Sequence, residues 1–182
     1  MASAITHFIV GAALALPALE SKTIRKVLPG WAIPVTAGLF GVAPDLDTFV
    51  MRAFGMPFGG FYGHRGFFHS PFFLIFFCVL LAGIVARGKW FWLGVVWWIG
   101  AVTHPLLDAL TDGGTGVMLL FPFSDERLFL PWRPIHVSPM SISRFFSRAR
   151  YILWSELPFC LGAAGLGAAG LIIRRGGKSY HV

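Results

Sequence analysis

Five stretches of the chain are almost free of charged residues. They run Met1–Leu19, Val27–Pro44, Pro71–Ala86, Trp90–Leu107 and Leu157–Ile173. An amphipathic helix of a soluble protein shows polar residues on one face at every turn, and these stretches do not. Each is 16 to 19 residues long, slightly short of the roughly 20 that span a bilayer, which is tolerable for spans with interfacial ends. The pattern predicts an all-α, polytopic membrane helix bundle of about five helices.

Composition agrees with a membrane protein. The chain has 182 residues, of which 56% are hydrophobic and 13% are charged, whereas soluble domains carry about 25% charged residues. We therefore expect a single integral membrane domain over residues 1–182. No Lys or Arg precedes the first apolar stretch, which argues against a cleaved signal peptide. The net charge of +7 is typical of basic helix ends facing anionic lipid, so membrane lipids rather than nucleic acid are the expected partners.

Basic residues indicate an orientation. Alternate crossings put all four lysines on one face, together with four arginines: Lys22, Arg25, Lys26, Arg87, Lys89, Arg174, Arg175 and Lys178. The seven arginines of the opposite face lie beside acidic and histidine residues, where function competes with topology as their explanation. The positive-inside rule places the lysine face and the C-terminus in the cytoplasm. We expect a protein of a bacterial-type cytoplasmic membrane, with the opposite, polar face extracytoplasmic.

The segment Gly113–Arg150 is too polar to span and too apolar for a free linker. Its prolines prevent a continuous helix, and its Trp and Phe side chains suit the headgroup region. We predict a folded interfacial cap, ending in a short interfacial helix over Ser143–Tyr151. Membrane anchoring and lipid-phosphate recognition are both open as roles for this helix.

Ionisable residues concentrate near the ends of the apolar stretches, where they are costly unless paired or functional. They are His7, Asp45, Asp47, His64, His69, His104, Asp108 and Asp112. Within the fourth stretch the spacing i, i+4, i+8 would stack His104, Asp108 and Asp112 on one helix face. Alternate crossings bring the ends of the second, third and fourth stretches to the same membrane face. His7 is the exception, since it lies six residues into the first stretch and would point inward from its first turns. We therefore predict that they converge.

Histidines and carboxylates in this number are a ligand set for zinc, with manganese or iron as alternatives. One or two ions are expected, and carboxylates bridging two ions would suit attack on a phosphoester. Arg65 is a candidate for neutralising substrate phosphate. Each residue could instead have a purely structural role. Asp45 or Asp47 could cap a helix, Asp112 could end one, and a lone histidine could be a hydrogen-bonded packing residue. His136 and His181 are not expected to be ligands.

These motifs resemble a known family. Thr6-His7, Pro44-Asp45-Leu46-Asp47, His64-Arg65-Gly66-x-x-His69-Ser70 and His104-x-x-x-Asp108 are similar to those of the YdjM-like membrane-bound metal-dependent hydrolases. The stretch from Leu120 to Pro139 is similar as well. The resemblance covers roughly residues 5 to 140 and implies a metal-dependent hydrolase.

That family is distantly similar to the zinc-dependent phospholipases C and the single-strand nucleases related to them. The similarity implies zinc ligands at His7, Asp45, His64, His104 and Asp108, and phosphoester hydrolysis. Two features depart from the secreted enzymes. Six residues precede His7, where those enzymes use a free N-terminal residue as a ligand, and their second His-x-x-x-acid pair is missing here. A third metal is therefore not expected.

The leading hypothesis is a membrane phosphoesterase acting on a phospholipid or lipid-linked phosphate. Its metal ligands would be His7, Asp45, His64, His69, His104 and Asp108. Asp47 and Asp112 would be further ligands or would orient the histidines, and Arg65 would neutralise substrate phosphate. Two rivals stay open: a metal or proton transporter using the same ligands, and a scaffold in which the cluster only holds the helices together. Transport sites commonly lie at the bilayer midplane between repeats, whereas these ligands gather at one face.

Overall fold

The protein is an all-α bundle. The computed structural model describes residues 1–88 and 90–177, so that Lys89, Lys178 and His181, discussed above, lie outside the described residues. The described part forms six α-helices: α1 (Ala4–Leu14), α2 (Ala32–Val42), α3 (Asp47–Phe54), α4 (Pro71–Ala86), α5 (Trp90–Ala109) and α6 (Ile142–Gly176). It contains no β-strand, only two isolated bridges, Thr111–Ile135 and Val117–Leu128.

The predicted helical bundle is confirmed, and five of the six helices arise from the five apolar stretches. The eight-residue helix α3 is additional. Within the described residues, α5 and α6 are long and apolar enough to cross a membrane. The segments Ala4–Glu20 and Pro71–Ala86 are apolar but shorter.

The last helix differs from the sequence prediction. The structure continues from Ile142 to Gly176 without a break, whereas the sequence suggested an interfacial helix over Ser143–Tyr151 and a separate span over Leu157–Ile173. The connecting residues Ile152–Glu156 contain no glycine or proline that would end a helix, and Pro158 lies within α6 without ending it. The predicted cap therefore loses its last residues to α6.

The cap itself lies between α5 and α6 and packs on the end of the bundle. Its backbone completes the C-terminus of α5, since the Leu130 and Ile135 amides donate to the carbonyls of Ala109 and Leu110. The Met118 amide donates to the carbonyl of Arg65 in the loop before α4. These contacts satisfy carbonyls that a helix end leaves without intrahelical partners.

Glycines permit the close helix contacts of the bundle. A Cβ atom on Gly100 of α5 would overlap the carbonyl of Ala37 in α2, and one on Gly167 of α6 would overlap the carbonyl of Ala13 in α1. Small residues at such crossings let helix backbones approach each other in membranes. By contrast, a Cβ atom on Gly165 would meet nothing within 4 Å.

Gly167→Ala is therefore expected to separate α6 from α1 and destabilise the protein by about 1–3 kcal/mol, the usual cost of overpacking. Gly165→Ala is the matched control, two residues away on the same helix, and should be neutral or stabilising by up to ~1 kcal/mol. Thermal unfolding in detergent measures both. Equal melting temperatures for the two variants would contradict this packing.

Candidate metal centre

One buried cluster collects ionisable side chains from four parts of the chain. His7 comes from the second turn of α1, and Asp45 and Asp47 come from the 3-10 turn after α2 and the start of α3. His64 and His69 come from the loop before α4, and His104 and Asp108 from the last turns of α5. Three overlapping groups have ligand atoms within 4.8 Å of one another: His7, His104 and Asp108; Asp45, His69 and His104; Asp47, His64 and His69. The predicted convergence is observed for these seven residues.

The centre of the cluster consists of Asp45, His69 and His104. The Nε2 atoms of the two histidines are 3.1 Å apart, and Asp45 Oδ1 lies 3.4 Å from His104 Nε2 and 3.8 Å from His69 Nε2. Ligands held at 2.0–2.1 Å around a tetrahedral zinc ion would lie about 3.3 Å from each other. The three observed separations are close to that value. The donor atoms therefore fit a small divalent metal ion.

Oxygen atoms close to the opposite ring nitrogens, two of them in hydrogen bonds, fix the orientation of these imidazoles. His104 Nδ1 lies 2.8 Å from the Gly41 carbonyl, so this nitrogen carries the proton and Nε2 is left with a lone pair. His69 Nδ1 lies 3.1 Å from Asp47 Oδ2, and His64 Nδ1 lies 3.1 Å from Asp47 Oδ1. A carboxylate or carbonyl in this position is the usual partner of a metal-binding histidine. Asp47 is therefore placed to orient His64 and His69.

His7 lies against the centre from the side of α1. Its ring stacks on that of His104 with centroids 3.7 Å apart, and its Nε2 lies 3.4 Å from Asp108 Oδ1. Both ring nitrogens of His7 and both carboxylate oxygens of Asp45 are buried without a hydrogen-bond partner among the described residues. Buried polar atoms of this kind need a partner, and a metal ion would supply one.

Burial and nearby carboxylates act in opposite directions on the pKa values of the two loop histidines, His64 and His69. Burial lowers the pKa of His64, which favours the neutral imidazole that a metal requires. Burial also opposes protonation of His69, but the carboxylates of Asp45 and Asp47 outweigh this effect and raise the pKa of His69 to about 9. The same carboxylates that attract a proton to His69 would attract a metal cation, and the two would compete.

Arg65 is buried beside Asp108. Its Nε lies 2.9 Å from Asp108 Oδ2, and its other nitrogens donate to Thr111 Oγ1 and the Gly113 carbonyl. Only 1% of the residue is exposed. Its left-handed backbone, with φ of 64°, accompanies this inward direction of the side chain. These contacts support a role of Arg65 in holding Asp108, and the predicted contact with substrate phosphate stays a prediction.

Asp112 does not join the cluster. Helix α5 ends at Ala109, so the predicted i, i+8 stacking on His104 is wrong. Asp112 instead accepts hydrogen bonds of 2.8 Å from His136 Nδ1 and from the Val137 amide. Burial raises the pKa of Asp112, but these hydrogen bonds and the neighbouring His136 together outweigh burial and lower the pKa below its usual value. The pair lies on the surface of the cap, and the structure gives Asp112 no contact with the metal ligands.

Two further residues support the cluster, and sequence reasoning missed both. Glu156 of α6 is fully buried and accepts hydrogen bonds from the Ser3 amide, the Ser3 hydroxyl and the Thr6 hydroxyl, the last at 2.7 Å. Arg127 of the cap donates to the carbonyls of Gly60 and His64, both at 2.7 Å. The signal for Glu156 was present, because it directly precedes the apolar stretch Leu157–Ile173 and a carboxylate beside a membrane span is expensive unless it is paired.

Comparison with known proteins identifies relatives. The family described as "YdjM inner membrane protein" matches residues 1–176. The chain is 38% identical to the "Inner membrane protein YbcI" of Escherichia coli (strain K12) over 151 residues, which cover 80% of this chain and 82% of that protein. No solved structure matches the chain.

Replacing Arg65 should leave the Asp108 carboxylate buried without its guanidinium partner. Arg65→Met is expected to lower the free energy of unfolding by about 3–5 kcal/mol, the usual cost of breaking one side of a buried ion pair. The double variant Arg65→Met/Asp108→Asn should recover part of that loss, since no unpaired charge remains. Denaturation in detergent measures both, with the exposed Arg52→Met as control. A double variant less stable than Arg65→Met alone would contradict the ion pair.

Glu156→Ala should destabilise the protein by about 3 kcal/mol or more, because it strands three buried donors that each cost about 1–3 kcal/mol. Glu156→Gln keeps the acceptor oxygen but turns an amide N–H group toward one donor, so an intermediate loss is expected. Glu126→Ala, at an exposed position of the cap, is the control. The same unfolding measurement applies, and a Glu156→Ala variant as stable as Glu126→Ala would exclude this role.

Proposed function

The chain belongs to the YdjM inner membrane protein family, and we propose that it is a membrane-embedded metal-dependent hydrolase. The proposed reaction is cleavage of a phosphoester bond in a phospholipid or another lipid-linked phosphate. The observation that carries the proposal is the meeting of Asp45 Oδ1, His69 Nε2 and His104 Nε2 at separations of 3.1–3.8 Å. Zinc fits this donor set best, and manganese or iron are alternatives.

The overlap of the three groups limits the number of ions. His104 belongs to two groups, but its Nδ1 is engaged with the Gly41 carbonyl, so only Nε2 is free to bind metal. One ion is assigned to Asp45, His69 and His104. A second ion would use His7 and Asp108, whereas His64 lies in the third group, beside Asp47 and His69. This assignment agrees with one or two ions.

Charge supports a divalent cation in the cluster. The three buried carboxylates of Asp45, Asp47 and Asp108 face one buried guanidinium, that of Arg65. A metal-binding site requires neutral histidines, so a bound ion would displace the proton that the raised pKa of His69 retains at neutral pH, and these side chains would then carry two excess negative charges. Uncompensated buried charge is costly by several kcal/mol per ion. One divalent ion would balance the group.

A bound divalent metal would supply Lewis acidity and an activated water for attack on a phosphoester. The contributions of the chain are positioning ones. Asp47 orients His64 and His69, the Gly41 carbonyl orients His104, and Arg65 holds Asp108. Residues held in this way keep reacting groups in a fixed geometry, which is a large part of enzymatic rate enhancement.

The proposed orientation follows from the distribution of basic residues. The cluster would face the extracytoplasmic side, where it meets lipid headgroups of the outer leaflet, and the C-terminus would be cytoplasmic. Membrane lipids are the proposed partners.

A structural metal site is the second candidate, and burial favours it. His7, His69, His104 and Asp108 are fully buried, as is common for metals that only stabilise a fold. In that case, removal of the metal would unfold the protein, and no hydrolytic activity would accompany the bound ion.

Elemental analysis after mild purification in detergent tests the metal. Wild-type protein should carry about one to two equivalents of zinc, manganese or iron. His104→Ala and Asp108→Ala should lose most of the bound metal. The first variant removes a ligand shared by two of the groups, and the second removes the carboxylate of the group with His7 and His104. His136→Ala is the matched control and should retain the wild-type content, since His136 pairs with Asp112 on the cap surface.

The same preparations, assayed for phosphate or phospho-headgroup release from a panel of membrane lipids, separate the two candidates. Release by the wild type and its loss in His104→Ala support the hydrolase. Bound metal without release from any lipid supports the structural site. Wild-type protein without metal would refute both.

A further inference from the structure

A groove runs along the outside of the bundle between α2, α3 and α4. It consists of two adjoining cavities of about 210 and 330 Å³ that share Phe40, Ala43, Leu46 and Phe77 as lining residues. The walls are almost entirely apolar. Leu39 and Leu46, which line the larger cavity, are each 57% exposed. The groove is therefore open toward the surroundings of the bundle.

The inner end of this groove reaches the histidine–aspartate cluster. Asp47 lines the smaller cavity together with Pro44 and Val50. The same Asp47 carboxylate lies 3.1 Å from ring nitrogens of both His64 and His69. Asp45 lies between the lining residues Pro44 and Leu46, and its side chain is 11% exposed although both of its carboxylate oxygens are buried, whereas the side chain of Asp47 is fully buried. The groove thus ends beside the turn of the chain that supplies Asp45 and Asp47 to the cluster.

We infer that this groove binds a hydrocarbon chain of a membrane lipid and directs its polar headgroup to the cluster. The inference rests on the proposed function, because it names the route and the substrate class for the same site. The lipid enters sideways from the bilayer, between α2 and α4, and Val50 and Phe77 contact its chain.

The two ends of the groove select an amphiphile. An occupant must be apolar along Leu39, Phe40 and Phe77 and polar at the inner end, where an ion held by Asp45, His69 and His104 would bind an anionic oxygen. A purely apolar ligand would leave the polar end unpaired, which is costly. Moving a lipid chain from the bilayer into the groove exchanges one apolar environment for another and changes the free energy little. The contact between the headgroup and the cluster therefore decides binding.

Photo-crosslinking tests the inference. The protein is reconstituted into nanodiscs of phosphatidylethanolamine and phosphatidylglycerol that contain a phosphatidylglycerol with a diazirine in its acyl chain. After irradiation, crosslinked peptides are mapped by mass spectrometry. Crosslinks should be enriched in the peptides that hold Leu46, Val50 and Phe77, relative to the equally apolar exposed residues Leu161 and Leu166 of α6. Even labelling of all lipid-facing residues would overturn the inference.

Two tryptophan variants of neighbouring residues sharpen the test. Val50→Trp fills the smaller cavity, and groove crosslinks should fall about tenfold, since changes of one methylene in an apolar pocket already discriminate by that factor. Phe49→Trp alters the next residue, which is 66% exposed and lines neither cavity, and should leave them unchanged. Equal crosslinking in the two variants would also overturn the inference. If Val50→Trp does not fold, the wild-type map decides alone.

Metal content of the same samples keeps the inference and the proposed function apart. Metal-loaded protein without enriched groove crosslinks would overturn only the lipid groove. Enriched groove crosslinks in protein that binds no metal would refute the proposed hydrolase and leave a lipid-binding groove.

Discussion

The buried carboxylate of Asp108 is the point at which distant parts of the chain meet. It accepts a 2.7 Å hydrogen bond from the Ala2 amide, lies 2.9 Å from Arg65 Nε and contacts His7 and His104. A charge in an apolar interior is tolerated only when it is paired and hydrogen-bonded. The segment before α1, the loop before α4 and the end of α5 must therefore all be in place before this carboxylate is satisfied. The cluster and the tertiary fold depend on each other.

Much of the bundle and most of the site could be predicted from the sequence, for a simple physical reason. Apolar stretches of near-membrane length permit few structures other than helices. Ionisable residues are so costly in such surroundings that Asp45, His69 and His104 stand out against their neighbours. Once the helices alternate in direction, these residues fall at one end of the bundle. Their side-chain partners, such as the Gly41 carbonyl for His104, required the structure.

The unpredicted features depend on contacts between residues distant in sequence. Helix α5 ends at Ala109 because the cap backbone bonds to the carbonyls of Ala109 and Leu110, and this carries Asp112 away from the cluster. Arg65 points inward because Asp108 lies there, which spacing alone does not reveal. Glu156 directly precedes the last apolar stretch in the sequence. Its hydrogen-bond partners, Ser3 and Thr6, lie at the other end of the chain, so the sequence did not reveal them.

Helix lengths explain why a lateral route suits this site. At 1.5 Å per residue, the 20 residues of α5 span about 30 Å, the thickness of the hydrocarbon core, whereas the 11 residues of α1 and of α2 each span only about 16 Å. His104 lies five residues before the end of α5, so the cluster is about 8 Å below that end. The cap packs over the same end and contacts the loop that holds His64. A headgroup approaching along the membrane normal would have to displace the cap, whereas one carried by a lipid chain in the groove beside α2 would reach Asp45 and Asp47 without doing so.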